Sequence, residues 1–557
     1  MKRWVTVLAL ALPFAAASFT AAVAGSRDQV YPRDRVMHGG HRDVNYSDPI
    51  VPDPAISVPP TSSCQVTILT AYPFENFTPA TGSYAPPAGC PGPWAKVVLD
   101  VQTSVQGVQY DRVGALWIGN NEIYRFTTSE PPGPQISWDV QKDVTEYTNV
   151  LENPSTFTYS LGNVVNKEYT GIYYVTATLT FYQTGSGYGA PVVPDQVIPI
   201  AAPNSSPPWY TLNDASDQAS SAVTVPANTQ NAVLELYASG HICEEFWYTN
   251  ESTNFMSQLG STCGGTGYRE IDVTIDGQPA GVALPYPYLY TGAIQPLDWL
   301  PLTGYDTLDI PPYIFDLTPF VGYLNDGNQH TIAASVYNDT GGFWLVDGDL
   351  LITEDHGSQQ TSGKLVSLSS LPGSPETYWE HLTAQNGGAA TYRSHNFVNA
   401  VGYVNTSHGQ ITTSLVENVT ANDGQYLVNP ESPAGTETVK LGAFSNTVET
   451  VTNGSNQSTT TTFSDWPFYL GLTQNLTIQQ PYHQSVTTVS NGQTTWSTKD
   501  VQVDVNSSGN ESTTVNFQLH DSSGGCYNRS LAASNGVLQS DTYTCGGPGD
   551  KRAHRRR

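Results

Sequence analysis

Apolar side chains recur at every second position through much of this chain, and this period of two constrains the fold more than any other feature. One long example is the alternating face formed by Tyr173, Val175, Ala177, Leu179 and Phe181. Such alternation is typical of a strand with one buried face. We find no long stretch with the 3.6-residue period of an amphipathic helix, and 49 Gly and 39 Pro residues mark frequent turns. The sequence therefore predicts an all-β protein.

The N-terminus has the pattern of a secretory signal. A basic start at residues 1–3 is followed by an apolar run over residues 4–22 that closes on small residues. A membrane anchor is the alternative, but Pro13 interrupts the run. No later run approaches the roughly 18 to 20 apolar residues that a spanning helix needs. We expect residues 1–24 to be a signal peptide and the protein to be secreted.

Shifts in composition predict the domain boundaries. Residues 25–62 are rich in Pro, Asp, Arg and Ser, which is typical of a linker or a pro-segment. Alternating strands on both sides of a Pro/Ser/Asn-rich stretch predict two antiparallel β domains, and later Thr/Ser/Asn-rich sequence predicts a third, accessory β domain. The expected ranges are 63–205, 206–356 and 357–546 for the three domains and 547–557 for a basic, disordered tail.

Six cysteines fall into three local couples, one in each predicted domain. In an exported chain this arrangement favours three local disulfides. No Cys-x-x-Cys or His-Glu-x-x-His motif is present, so we expect no metal site and no other cofactor. The expected bridges are Cys64–Cys90, Cys243–Cys263 and Cys526–Cys545.

The charge of the chain excludes some partners. A formal net charge of -27 repels phosphate backbones and anionic lipid surfaces. Nucleic acid and membranes are therefore not expected as partners, and no pattern predicts an oligomeric state. Only 13% of residues are charged, about half the usual share, so we expect the fold and its activity to extend into acid.

The first chemical motif is Asp111-Arg112, set directly before an apolar run at residues 113–118. Both alternating sets of this run are apolar, which predicts a strand covered on both faces. Asp111 would then lie at the mouth of a buried strand, where a carboxylate can act on a ligand. The alternative is an Asp-Arg pair that merely ends a strand.

The second motif is the stretch from His241 to Tyr248, which includes Glu244, Glu245 and Trp247. Two adjacent carboxylates, a histidine and consecutive aromatic residues offer acceptors for sugar hydroxyls and faces for apolar sugar surfaces. The alternative is a solvated pair of glutamates beside core aromatic residues. No Ser-His-Asp arrangement is visible, so a carboxylate is the better candidate for activating water.

These motifs resemble the peptide:N-glycanase A family, which cleaves the amide between asparagine and the first N-acetylglucosamine of an N-glycan. The resemblance spans roughly residues 64–545 and implies two jelly-roll-like β-sandwich domains that form the catalytic core. N-glycopeptides and glycoproteins are then the expected substrates. The stretches that carry the resemblance are 110–112, 124–131, 138–145, 231–237, 243–250, 268–277 and 343–347.

The resemblance also implies site residues. Asp111 is expected to activate water, and Glu245, which precedes Phe246-Trp247, to hold the inner sugar. We expect substrate contacts from six further residues. They are Arg112, His241, Glu244, Trp117, Trp247 and Trp344.

A third acid is an open question. Bacterial peptide:N-glycanases of the flavobacterial type resemble this chain at Asp111-Arg112 and around Cys243, and they carry a further glutamate on a first-domain strand. No acid stands in that region here, near residues 160–163. Either Glu168 or Asn163 substitutes, or the third carboxylate is dispensable.

Two other classes of protein share these features. A noncatalytic cell-surface lectin would also be secreted and rich in β-sandwiches and aromatic residues. An endoglycosidase would also use paired carboxylates, but it would leave one N-acetylglucosamine on the asparagine.

Overall fold

Residues 63–183 form a sandwich of two antiparallel four-stranded sheets. The computed structural model describes residues 46–254, 263–371, 377–383, 386–428, 435–473 and 475–547. The strand orders are β1-β8-β3-β6 and β2-β7-β4-β5. The strands are β1 (Ser63–Phe74), β2 (Ala80–Tyr84), β3 (Trp94–Val108), β4 (Val113–Ile118), β5 (Asn121–Thr127), β6 (Pro132–Asp143), β7 (Ser155–Leu161) and β8 (Ile172–Gln183).

The predicted buried face of β8 and the predicted two-sided burial of β4 are both confirmed. The alternating face of β8, from Tyr173 to Phe181, is fully buried in the core between the two sheets. Strand β4 is covered on both sides: Leu116 and Ile118 belong to that core, whereas Ala115 and Trp117 are buried outside it. Trp117 lies against the second sandwich, because its indole nitrogen donates to Asp347 at 2.7 Å.

The second sandwich is built from a five-stranded and a four-stranded antiparallel sheet. The five-stranded sheet has the strand order β10-β17-β12-β15, and its fifth strand, β9, also pairs with β17. The four-stranded sheet has the order β11-β16-β13-β14. Strand β9 lies before the boundary expected at residue 205, yet its backbone pairs with β17. The strands are β9 (Gln196–Ile200), β10 (Tyr210–Leu212), β11 (Ala219–Val223), β12 (Thr229–Ile242), β13 (Glu270–Ile275), β14 (Gln278–Ala283), β15 (Tyr313–Asp316), β16 (His330–Tyr337) and β17 (Gly342–Glu354).

The C-terminal region forms one antiparallel sheet of twelve strands among the residues described. One hydrophobic core joins this sheet to the second sandwich, so the predicted accessory domain is packed directly against the site-bearing part of the molecule. The strands are β18 (Ser362–Leu371), β19 (Thr377–Thr383), β20 (Gly387–Thr406), β21 (Gly409–Val428), β22 (Thr436–Asn453), β23 (Asn456–Asp465), β24 (Phe468–Leu472), β25 (Leu476–Ser490), β26 (Gln493–Asn506), β27 (Ser512–Asp521), β28 (Cys526–Ser534) and β29 (Val537–Cys545).

Helical structure in the described part of the chain is limited to single turns. The two short α-helices are α1 (Thr148–Leu151) and α2 (Val321–Leu324). The 3-10 turns are Thr145–Tyr147, Trp247–Thr249, Pro296–Trp299 and Thr318–Phe320. Within the described ranges, no helix has the length and apolar character needed to cross a bilayer. The expected signal peptide at 1–24 and nearly all of the basic tail lie outside those ranges.

The last part of the expected linker is an ordered strap. Ile50 makes a parallel β-bridge with Leu302 of the second sandwich. From the C-terminal sheet, the Tyr527 hydroxyl donates to the Pro52 carbonyl at 2.9 Å, and Arg529 donates to the Val51 carbonyl at 2.9 Å. Residues 46–62 are therefore not a free linker, because the folded domains satisfy their backbone groups.

The cysteine pairing is as predicted. Cys64 pairs with Cys90, Cys243 with Cys263 and Cys526 with Cys545. Each bridge closes a local loop within one of the three β regions. The second bridge is the one next to the predicted site.

Buried carboxyl pairs join the three β regions. Glu146 of the first sandwich hydrogen-bonds Glu235 of the second, and burial and the Glu235 charge raise the pKa of Glu146 to about 8. Asp316 of the second sandwich pairs with Glu449 of the C-terminal sheet, and burial and the Asp316 charge raise the pKa of Glu449 to about 7. Each pair therefore holds a proton in the fold at mildly acidic pH.

We expect these pairs to make the fold more stable in acid than in mild base. A carboxyl whose pKa is raised by folding adds stability that is fully present below its unfolded pKa, near 4, and lost as the pH rises through 7 to 8. Denaturant unfolding should give a free energy about 2 to 4 kcal/mol lower at pH 8 than at pH 5. Glu449→Gln, which mimics the protonated form, should reduce this dependence without abolishing it, because burial also raises the pKa values of Glu417 and Glu437 to about 8. Equal stability at the two pH values would contradict the account.

Candidate functional site

Asp111 lies in the short connection between β3 and β4, directly before the strand enters the protein. Its side chain is partly exposed, whereas the following residue Arg112 is buried. The backbone of Arg112 is tied to Thr128 at the end of β5: Arg112 N donates to the Thr128 hydroxyl and Thr128 N to the Arg112 carbonyl, both at 2.9 Å. Asp111 is therefore fixed at the mouth of β4, as predicted.

Glu245 lies in the turn that follows β12. The last residue of that strand, Ile242, has a left-handed backbone (φ 62°), which is rare for a β-branched residue. The chain reverses there, and the Cys243–Cys263 bridge anchors the turn. Within it Glu244 is fully buried, whereas Glu245 is partly exposed.

One segment of the second sandwich links the two motifs. The Tyr290 hydroxyl donates to the carbonyl of Gly240, near the end of β12, at 3.3 Å. The next residue, Thr291, donates its hydroxyl to the carbonyl of Thr128. Because Thr128 also holds Arg112, the mouth of β4 and the end of β12 meet at one end of the interface between the two sandwiches.

The pKa of Tyr290 depends on charged groups from both sandwiches. Its side chain is buried, and its pKa is raised first by burial and then by the negative charges of Glu245 and Asp111; the Arg125 cation opposes this. The two predicted catalytic carboxylates, which come from different sandwiches, therefore act electrostatically on one tyrosine. Among the predicted site residues, Asp111, Glu245 and Arg112 converge here, together with His241.

Arg112 carries a buried positive charge beside these acids. Burial lowers its pKa, and the neighbouring Tyr173, Asp111, Tyr110 and Glu130 oppose that change. Its guanidinium donates to Gln109 at 2.6 Å. An arginine in this setting remains charged and balances nearby carboxylates.

Glu130 is a third acid that sequence reasoning missed. The fully buried Tyr173 hydroxyl lies 2.6 Å from the carbonyl of Tyr110 and 3.2 Å from the carbonyl of Ser129. These are the residues directly before Asp111 and Glu130. One hydroxyl thus holds together the two loops that carry these acids. Nothing in the local sequence of Glu130 signals this, because the contact depends on β8.

Asn163 and Glu168, the two candidates for replacing the third acid, differ in burial and in position. Asn163 is fully buried, and its amide donates to the carbonyls of Phe74 at 2.8 Å and Gly171 at 3.1 Å. It is a structural residue of its loop. Glu168 is exposed and accepts a hydrogen bond at 3.4 Å from Tyr169, whose hydroxyl also contacts that of Tyr110. Glu168 therefore lies near the rim on the Asp111 side.

Glu244, which was predicted to contact substrate, is engaged by protein groups in the structure. Its carboxylate is 0% exposed and accepts from Arg269 at 2.5 and 2.7 Å. The Trp344 indole donates to it at 2.9 Å and the Thr340 amide at 3.2 Å. Four protein donors satisfy this carboxylate, so Glu244 shapes the turn that presents Glu245.

The three tryptophans predicted to touch substrate are structural as well. Trp344 is bound to Glu244, Trp117 is bound to Asp347, and Trp247 is buried against Tyr248. All three are at most 4% exposed. The indole N–H groups of Trp117 and Trp344 are hydrogen-bonded inside the protein, and the burial of all three rings leaves them little surface for a sugar.

His241 lies on the inner side of the site. Its ring stacks on Phe343 at 4.8 Å between centroids, and its Nε2 atom has no hydrogen-bonding partner among the described residues. Burial, together with the Arg125 cation, lowers its pKa to about 3. His241 is therefore neutral even in moderate acid and cannot supply a charge there.

A buried ionic cluster joins the sandwiches beneath the site. The fully buried Arg125 of β5 binds both oxygens of Glu122 at 2.7 Å and reaches Asp347 of β17 at 2.6 Å. It also donates to the Ser239 hydroxyl at 2.9 Å and the Leu345 carbonyl at 3.2 Å. A charged residue within the fully buried strand β5 is the signal that could have revealed this cluster.

The site as described has no metal-binding geometry. Over the described ranges, no group of three or more His, Cys, Asp and Glu side chains is placed to hold an ion. The chemistry available is that of carboxylates, a buried arginine, a neutral imidazole and tyrosine hydroxyls. Such a set can activate water and bind polar groups.

The fold and the site define a protein of two β-sandwiches, with carboxylates from both at one end of their interface. The chain belongs to the peptide N-acetyl-beta-D-glucosaminyl asparaginase amidase A family, whose model matches residues 50–370. It is 34% identical over 384 residues to peptide-N4-(N-acetyl-beta-glucosaminyl)asparagine amidase A of Prunus dulcis. That match covers 65% of this chain and 66% of the almond protein.

Two solved structures of PNGF-II, in space groups P21 and C2, also match. Both have a TM-score of 0.37, with sequence identities of 14% and 15%. Each covers 53% of this chain, and the matches span 66% and 65% of the PNGF-II chains.

Proposed function

We propose that this protein hydrolyses the amide between asparagine and the innermost N-acetylglucosamine of N-glycans. The glycan leaves as a glycosylamine and the asparagine becomes aspartate. Family membership supports the proposal, and one observation carries it: hydrogen bonds from Tyr290 to Gly240 and from Thr291 to Thr128 bring the segments that carry Glu245 and Asp111, from different sandwiches, to one end of their interface. A substrate bound between the sandwiches would meet both carboxylates.

In this proposal Asp111 takes a proton from water, which attacks the asparagine side-chain carbonyl. An unactivated amide needs such a base, and it needs donors for the oxyanion and for the departing nitrogen. The buried Arg112 beside Asp111 favours its ionised form. Glu130, close to Arg112 and Tyr173, adds a second negative charge on the same side.

Glu245 and its neighbours hold the inner sugar. Glu245 is partly exposed in the turn after β12, and the half-buried, neutral His241 lies near the end of that strand with its ring 6.5 Å from that of Tyr290. A carboxylate and a neutral imidazole offer hydrogen bonds to the hydroxyls and the acetamido group. His241 serves binding rather than base catalysis, since its pKa is lowered to about 3.

We also propose that the protein is secreted and works at acidic pH. The N-terminal apolar run and three disulfides support export. The carboxyl pairs Glu146/Glu235 and Asp316/Glu449, which hold protons only below about pH 7 to 8, support an acidic working range.

The peptide product tests the proposed reaction. The protein is incubated at pH 5 with a peptide that carries one N-glycan, and the peptide is weighed by mass spectrometry. The proposal expects a sugar-free peptide with aspartate in place of asparagine. A peptide that keeps one N-acetylglucosamine would identify an endoglycosidase, and unchanged glycopeptide would favour a lectin.

A further inference from the structure

The outward face of the C-terminal sheet carries a row of rings across three neighbouring strands. Phe444 of β22 and Phe463 of β23 have ring centroids 6.3 Å apart, and Phe463 and His483 of β25 are separated by 6.2 Å. We call these three residues the aromatic strip. Phe444 is 40% exposed, and Phe463 and His483 are partly exposed.

The strand register places acidic groups on the same face. Asp465 lies directly opposite Phe444 on one side and His483 on the other. His483 in turn lies opposite Asp500, and its Nδ1 donates to that carboxylate at 2.5 Å. Their chain neighbours Ala443 and Ser464 are buried toward the second sandwich. The strip therefore points away from the core.

A cavity of about 400 Å³ lies along the strip. Its lining combines the two phenylalanine rings with a hydroxyl, an amide and a carboxylate. The lining includes Thr420, Asn422, Phe444, Phe463, Asp465 and Pro467, and it is completed by the small residues Gly442 and Ala443. Hydrogen bonding to Asp500 fixes the orientation of His483 at the far end of the strip.

The chemistry of this surface favours an uncharged, hydroxyl-rich ligand. Aromatic faces pack against the C–H faces of sugar rings, while Asp465, Asn422 and Thr420 can bind the hydroxyls at their edges. A chain of net charge -27 disfavours a phosphorylated or sulfated ligand. Polar residues border the strip, unlike the broad apolar patch of a protein interface.

We propose that the aromatic strip is a noncatalytic binding site for the neutral oligosaccharide of an N-glycan. The strip faces outward from the C-terminal sheet, whereas Asp111 and Glu245 lie between the first two sandwiches. In this proposal the bound glycan is a second glycan of the substrate, other than the one at Asp111. The site would keep the protein on substrates that carry several glycans, and this role rests on the proposed function.

Binding is tested with a ligand that lacks the scissile amide. The probe is a free, reduced high-mannose N-glycan, and the readouts are calorimetry and hydrogen exchange. We expect the wild-type protein to bind it with protection of residues 442–446 and 463–467. The double variant Phe444→Ala/Phe463→Ala should lose that protection and bind at least about tenfold more weakly at this site. Trp379→Ala is the control, because Trp379 is an aromatic residue 58% exposed on β19, outside the strip.

Each outcome bears on the proposal. Protection confined to residues around Asp111 and Glu245, or protection that survives in the double variant, would overturn it. An equal loss of glycan affinity in Trp379→Ala would also overturn it, because glycan binding would then not depend specifically on the aromatic strip. Glycan binding by a protein that releases no glycans would refute the proposed function alone, whereas glycan release without binding at the strip would refute this inference alone.

The rate on multiply glycosylated protein gives a second readout. The double variant should act on a glycoprotein with several glycans about fivefold or more slowly than the wild type at low substrate concentration, because tethering raises the effective concentration. Its rate on a peptide with a single glycan should be unchanged. If the double variant and the wild type acted at equal rates on the multiply glycosylated protein, the tethering role would be contradicted.

Discussion

Asp111→Asn should lower the rate of glycan release by about 10²- to 10⁴-fold, with little change in glycopeptide affinity. Asparagine keeps the size of aspartate and much of its hydrogen bonding but lacks the basic oxygen that takes the proton from water. The loss should appear in kcat, measured by single-turnover release from a glycopeptide. Affinity can be measured separately by calorimetry on the inactive variant.

Two matched variants sharpen this result. Asp139→Asn makes the same change at an exposed position on β6 and should release glycans at the wild-type rate. Glu245→Gln should show more of its effect in binding than in kcat, because Glu245 is assigned to the inner sugar. A folded Asp111→Asn protein with near wild-type kcat would end the assignment, and an equal kcat loss in Glu245→Gln at unchanged affinity would exchange the two roles.

Arg125→Leu should destabilise the protein by about 3 to 5 kcal/mol. Arg125 is the cation that compensates the buried carboxylates Glu122 and Asp347, and leucine would leave both without it. The change also removes donors to Ser239 and Leu345 across the interface of the two sandwiches. Urea denaturation at fixed pH measures the loss.

Lys96→Met is the matched control for that experiment. It breaks the pair of Lys96 with Asp143, which has a similar distance, 2.6 Å, but is partly open to water. Its cost should be within about 1 kcal/mol. If Arg125→Leu were as stable as Lys96→Met, the cluster would not be the element that holds the two sandwiches together.

Local patterns in the sequence were enough for much of the fold. The period of two identified the buried face of β8, and two apolar alternating sets identified β4 as covered on both sides. Local cysteine couples gave the three bridges. The carboxylates Asp111 and Glu245 could be proposed together because both lie in motifs that carry the family resemblance.

Other features depend on contacts between distant residues, which no local pattern contains. Which of Glu244 and Glu245 is buried depends on Arg269 and on the left-handed turn at Ile242. Glu130 lies near the site because Tyr173, Arg112 and Thr291 hold its loop.

Contacts between distant residues also determine the positions of two tryptophans and of the N-terminal strap. Trp117 and Trp344 looked available from sequence, but partners on other strands satisfy both indoles. The strap at residues 46–62 looked like a linker because its backbone partners are distant in sequence, in the second sandwich and in the last strands of the chain.

The most direct test of the central claim follows the oxygen of the attacking water. An N-glycopeptide is cleaved in water enriched in oxygen-18, and both products are analysed by mass spectrometry. If Asp111 directs water at the asparagine amide, the new aspartate carries one solvent oxygen and the glycan leaves first as an unlabelled amine. Solvent oxygen on the reducing-end sugar, with the first N-acetylglucosamine still on an unlabelled asparagine, would contradict the account.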